Sequence, residues 1–154
     1  MRAEAAAGEG QIKRSRVPGR AFATWGNAVR RMSPAKKIEM IRKGVDVALL
    51  VGAGRYYGIP QTRLSRLLGV SDATITRKIK AGGKLSPQES ERLARIALVE
   101  AEAEDVFDSQ DLAKRWMLET NAALGDAPLS LLDTDTGADE VRKVLAAIAF
   151  GGAA

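Results

Sequence analysis

The chain has 154 residues, 45% hydrophobic and 28% charged, enough for one medium globular domain or two small ones. It contains neither cysteine nor histidine, which excludes disulfides, zinc sites of the Cys/His kind and any Ser-His or Cys-His nucleophile. The net charge of +5 hides a division: residues 1–84 carry 18 Lys and Arg against 5 Asp and Glu, whereas residues 85–154 carry 6 against 14.

A basic half of that kind suits a polyanion, and an acidic half suits contacts with another protein. Aromatics make up only 5%, so the core must come from Leu, Ile, Val and Ala, a composition that favours helices over sheets.

Residues 1–32 read as a basic N-terminal arm with a short helix. The segment "MRAEAAAGEGQIKRSRVPGR" is polar and glycine-interrupted, carries Lys13, Arg14, Arg16 and Arg20, and lacks the apolar core of a signal peptide. Phe22, Trp25, Val29 and Met32 then share one helical face. Ser33-Pro34 supplies an N-cap with proline at the first helical position, and Ile38, Met40 and Ile41 are its apolar positions up to Gly44.

The segment Val45 to Tyr57 contains "VALLV", hydrophobic all round and therefore expected at the centre of the core. It is too short and glycine-rich to cross a bilayer, so no membrane partner is expected and a reducing, cytoplasmic location fits best. Its "VGAGRYYG" has the wrong glycine spacing for a phosphate loop and follows no strand.

"IPQTRLSRLLG" predicts a helix ended by Gly69, and Ser71 caps the next, which stops near Ala81-Gly82-Gly83. "SPQE" at 86–89 is a capping box with proline at N1, opening a helix that runs to about Val106. A short helix with Leu112, Ala113 and Trp116, a loop, and a turn "LSLL" follow. The last helix is expected from Thr136, with Val141, Val144, Leu145 and Ile148 on one face. No strand alternation is visible, so the fold class is all-α: a helix-turn-helix domain over 33–106 and a small helical domain over 107–154.

The helix-turn-helix reading rests on "LLGVSDATITRKIKAGG". Ser65 fits a helix crossing, Gly69 the turn, and Val70, Ile75 and Ile79 the apolar anchors of a helix lying in the major groove. That leaves Thr74, Arg77, Lys78 and Lys80 facing outward, where Arg and Lys contact guanine edges or phosphates. Ser71 lies at the helix N-terminus, where free N–H groups attract phosphate, and Arg63 and Arg66 add backbone contacts. Asp72 would repel phosphate, so it either points away or meets a cytosine amino group. A reader this short calls for a homodimer on two half-sites of operator DNA. The N-terminal arm touches either DNA or a protein partner. Of the carboxylates Asp133, Asp135, Asp139 and Glu140, two fall at a helix N-terminus, where the dipole favours them, and neither an enzymatic role nor a cofactor is expected.

The C-terminal stretch "LAKRWMLETNAALGDAPLSLLDTDTGADEVRKVLAAIAFGG" resembles the toxin-binding domain of the Xre/MbcA/ParS antitoxins. The matching positions are Ala113, Trp116, Leu124, Gly125, Pro128, Leu129, Leu132, Thr134, Gly137, Val141, Leu145, Ile148 and Gly151. "LLGVSDATITRKIKAGGKLSPQESERLARI" is similar to that family's helix-turn-helix, and together the likeness spans residues 34 to 154. Met117 stands where leucine is usual, Asp126 where a second glycine is common, and Asp72-Ala73 where a more basic pair occurs.

The resemblance implies an antitoxin of a type II toxin–antitoxin system. It would neutralise a RES-domain toxin, an enzyme that degrades NAD or transfers its ADP-ribose, and repress its own operon. The implied toxin contacts are Trp116, Leu124, Pro128, Arg142, Leu145, Phe150, Gly151 and Gly152, with the glycine-rich tail entering the toxin's cleft by close backbone approach. The alternative is a stand-alone repressor whose C-terminal domain only dimerises.

Overall fold

A computed structural model describes residues 16–151, and among them every regular element is helical. The helices are α1 (Arg16–Arg31), α2 (Pro34–Lys43), α3 (Val47–Tyr57), α4 (Gln61–Leu68), α5 (Asp72–Ala81), α6 (Pro87–Phe107), α7 (Gln110–Leu118) and α8 (Asp135–Ala149), with a 3-10 turn over Pro128–Leu131. None is long and apolar enough to cross a membrane.

The expected short helix near the N-terminus is 16 residues long and belongs to the core. Phe22 and Val29 are fully buried, and the Phe22 ring sits 5.7 Å from Tyr56 and 6.0 Å from Tyr57. Gly26 permits the crossing over α6, because a Cβ there would come within 2.7 Å of the Ala97 carbonyl oxygen. Lys13 and Arg14 lie outside the described residues.

The caps fall where the sequence puts them. Ser33 accepts from Lys36 N–H, Ser71 from Thr74 N–H, and Ser86 and Glu89 close a reciprocal box at the start of α6. α3 begins two residues later than expected because Asp46 caps it, and α8 begins at Asp135 because Thr134 caps it. α2 departs most from expectation: none of its residues is buried, and Ile38 is 49% exposed.

The 21-residue α6 is the spine of the molecule and ends at Phe107, one residue past the expected boundary at 106/107. Its first turns carry the helix-turn-helix and its last turns carry α7 and α8. One continuous set of buried side chains reaches from Phe22 through Leu64 and Ile96 to Val141 and Leu145. The two halves therefore share a core, not merely a linker.

At the seam lies one buried charge. Glu100 of α6 is 1% exposed and accepts hydrogen bonds from Tyr56 and Tyr57 hydroxyls, each at 2.6 Å. The Lys114 ammonium of α7 stands 4.6 Å over the Tyr56 ring. The Glu100 carboxylate thus joins α6 to α3, and Tyr56 carries the contact on to α7.

Candidate functional site

The helix-turn-helix is built by α4 and α5. Leu64, Ser65, Leu67 and Leu68 are buried on α4, and Gly69 ends it in the left-handed conformation at φ 72°. The Arg92 guanidinium fills the space where a Cβ on Gly69 would stand and donates to the Leu68 carbonyl at 3.1 Å. A cation there satisfies an orphan carbonyl at the negative end of α4. On α5, Ile75 is fully buried and Ile79 packs against the core, which fixes the face the helix presents.

Asp72 points away from any ligand of that face. Its Oδ1 accepts from Gln61 Nε2 at 2.8 Å and from Ser65 Oγ at 3.2 Å, tying α5 back to α4. Gln61 Nε2 also donates to Thr76 Oγ1 at 2.9 Å. Ser71 and Thr74 stand together at the helix N-terminus with their hydroxyls 2.8 Å apart. Arg77 and Lys80 are exposed and make no ion pair among the described residues.

Two expected DNA contacts are placed otherwise. Lys78 turns inward, its ammonium 2.7 Å from the Glu89 carboxylate, with side-chain exposures of 24% and 8%. Burial would raise the Glu89 carboxyl, but the Lys78 ammonium and the Ser86 N–H hold it below its ordinary range. Lys78 therefore clamps α5 to the start of α6. Arg63 reaches across to the C-terminal half, donating to Ser130 Oγ at 3.1 Å. On α5, the exposed cations without an ion pair among the described residues are Arg77 and Lys80.

Replacing both Arg77 and Lys80 by alanine is expected to lower operator affinity at least tenfold. It should also reduce the slope of log affinity against log salt by about 2 per bound chain, about 4 for a homodimer, without changing the melting temperature. Lys78→Ala should do the reverse at first order, costing about 1–3 kcal/mol of stability by stranding a buried carboxylate. Fluorescence anisotropy on operator DNA at several salt concentrations, beside thermal melts, separates the two.

In the C-terminal half, α7, the 3-10 turn and α8 close around Met117, Leu129, Leu132 and Val141, all 0% exposed. Pro128 and Leu145 are buried with them, so these two expected toxin contacts shape the surface without forming it. Trp116 is half-buried against Phe107, ring centroids 5.7 Å apart, and Leu124 packs on the same core. Arg142 is engaged within the chain, its guanidinium forked onto Glu102 of α6 at 3.0 and 3.1 Å.

The surface left for a partner is acidic with isolated apolar points. Asp139 and Glu140 are exposed on α8, and Phe150, just past its end, is 90% exposed. Gly151 follows at φ 81°, turning the chain out of the helix, and Gly152 lies outside the described residues. Leu112 on α7, 46% exposed, is an apolar surface point that sequence reasoning did not single out. The signal was there: Ala113, Trp116 and Met117 mark the inward face, and Leu112 lies beside it.

Comparison with known proteins follows the same division. Residues 37–98 match the antitoxin Xre-like helix-turn-helix domain, and residues 102–151 match the antitoxin Xre/MbcA/ParS C-terminal toxin-binding domain. The chain is 32% identical over 116 residues to antitoxin Xre of Yersinia enterocolitica, covering 74% of this chain and 78% of that protein. It is 30% identical over 134 residues to the Prs ADP-ribosylating antitoxin of Sphingobium, covering 80% and 84%. Antitoxin Xre of Photorhabdus laumondii is 28% identical over 114 residues, covering 73% and 77%.

Proposed function

The chain belongs to the Xre/MbcA/ParS antitoxin family, and from that premise we propose that it neutralises a RES-domain toxin that consumes NAD and represses its own operon as a homodimer on operator DNA. The observation that carries this reading is the division of one molecule into two surfaces. A basic reading helix with Arg77 and Lys80 free stands on one half, and an acidic, Phe150-tipped face on the other. The name of the Sphingobium relative couples it to ADP-ribosylation, a chemistry that takes its ADP-ribose from NAD. A stand-alone repressor would leave the match of residues 102–151 to a toxin-binding domain without a purpose.

Inhibition works by occlusion. α8 is held against α6 by the Arg142–Glu102 fork, so it presents Phe150 and Gly151 from a fixed platform. An exposed phenyl ring on a rigid helix end is the kind of anchor that fills a pocket, and glycines beyond it allow the backbone into a narrow cleft. Phe150, Leu112 and the exposed part of Trp116 are the contacts, with Asp139 and Glu140 supplying charge steering.

Removal of residues 150–154 tests the tail directly. Cells expressing the toxin should lose their rescue, whereas the truncated chain should keep its melting temperature and operator affinity. Full rescue by the truncated chain would dismiss tail occlusion.

A further inference from the structure

α2 is a helix without a buried residue, yet it carries Ile38 and Ile41. The reason lies beside it. Two surface depressions of about 290 and 180 Å³ run along α6 and share Ile41 and Glu91, forming one trough walled by α2 on one side and α6 on the other. Ile38 and Ile41 of α2 and Leu98 of α6 are among its apolar lining. Nearly all of its lining falls within residues 37–98, the helix-turn-helix unit, and not in the toxin-binding segment.

The charges around the trough are not equivalent. Arg95 is paired with Asp135 and Arg142 with Glu102, both within the chain. Arg42 on the α2 wall and Glu91 on the α6 wall have no ion-pair partner among the described residues. The trough thus offers one unmatched cation and one unmatched anion flanking an isoleucine.

We propose that this trough is where two copies of the chain meet. A two-fold axis through Ile41 would set the Ile38–Ile41 ridge of each copy against the other. It would also bring each Arg42 onto the Glu91 of the second copy, so that both unmatched charges are satisfied twice. Self-complementarity of this kind is the requirement of an isologous interface, and it does not arise for a partner of single-signed charge. The proposal deepens the homodimer reading by naming its surface, and it rests on that reading.

The test is a charge exchange on the full-length chain, read by sedimentation mass. The wild type should be dimeric. Arg42→Glu alone and Glu91→Arg alone should each dimerise at least tenfold more weakly, because each homodimer then faces two like-charged contacts. Mixing the two variants should restore the dimer mass, since both contacts become opposite-charged only between unlike chains. A folding defect cannot be rescued by mixing, so restoration speaks for a contact between copies. Dimeric single variants, or a mixture that stays monomeric, would overturn the surface assignment while leaving a homodimer through another face. Dimeric variants that lose toxin capture would give the trough to the toxin instead. A monomeric wild type on operator DNA would overturn the homodimer reading itself.

Discussion

Gly137→Ala is expected to cost the fold at least about 3 kcal/mol, the upper end of what overpacking does, and to abolish toxin neutralisation with it. Thr134 caps α8 by accepting from Gly137 N–H at 2.9 Å, which places the Gly137 Cα directly under the 3-10 turn. A Cβ there would overlap the Leu131 carbonyl oxygen and carbon, both backbone atoms with no rotamer to escape into. Either the cap opens or α8 lifts off the turn that carries Leu129 and Leu132. Gly83→Ala is the control: nothing lies within 4 Å of its Cβ position, so its effect should stay within about 0.5 kcal/mol. Urea unfolding of both variants measures the difference. A Gly137→Ala chain within 1 kcal/mol of wild type, marked by an unchanged midpoint, would contradict the packing of α8 on the turn (about 1 kcal/mol being the ordinary size of a tolerated substitution).

The second large effect is a dependence of stability on pH that runs opposite to ordinary acid denaturation. Burial pushes the Glu100 carboxyl from 4.5 up to about 7; the Tyr56 and Tyr57 hydroxyls and Lys114 oppose the rise, and Glu104 adds to it. Glu104 is raised too, by burial, and its Oε2 has no hydrogen-bond partner among the described residues. Because the folded chain holds the Glu100 proton more tightly than the unfolded chain, the stabilisation is complete below pH 4.5 and is lost as pH rises through about 7. The melting temperature should therefore climb between pH 7.5 and 5.5, the shift in Glu100 alone being worth roughly 3 kcal/mol over its full range. Glu89, whose carboxyl is lowered, acts in the other direction, losing its contribution as pH falls through its folded value, below this window. Glu100→Gln should flatten most of the rise, since a neutral amide can still meet a tyrosine hydroxyl. An equal rise in the variant would show that Glu100 is not the group responsible.

The fold was legible wherever local chemistry decides it. Ser33, Ser71 and the Ser86–Glu89 box announced three helix starts, and Ile75 with Ile79 announced the inner face of α5. Lys78 reads as outward-facing because on the helical wheel it stands beside those isoleucines and not between them. Its neighbour Arg77 projects to solvent, and only the distant Glu89 decides that Lys78 does not. Periodicity cannot see a partner eleven residues away on another helix.

α1 was underestimated for a related reason. Pro18, Gly19 and Gly26 weaken its local propensity, but Gly26 is there to let α6 approach, a requirement of packing and not of helix formation. In the C-terminal half, the motif positions mixed two roles. Pro128, Leu145 and Gly137 hold the fold together, whereas Phe150 stands free. A sequence motif records both kinds of residue alike, and burial is what separates them.

On the proposed function, this chain silences a NAD-consuming RES-domain toxin by direct binding. NAD turnover by a purified RES-domain toxin partner, titrated with the full-length chain, tests this reading. The account predicts that turnover falls to background as the chain approaches stoichiometric amounts, with both proteins eluting as one complex. NAD turnover that continues undiminished with the chain in excess would contradict it.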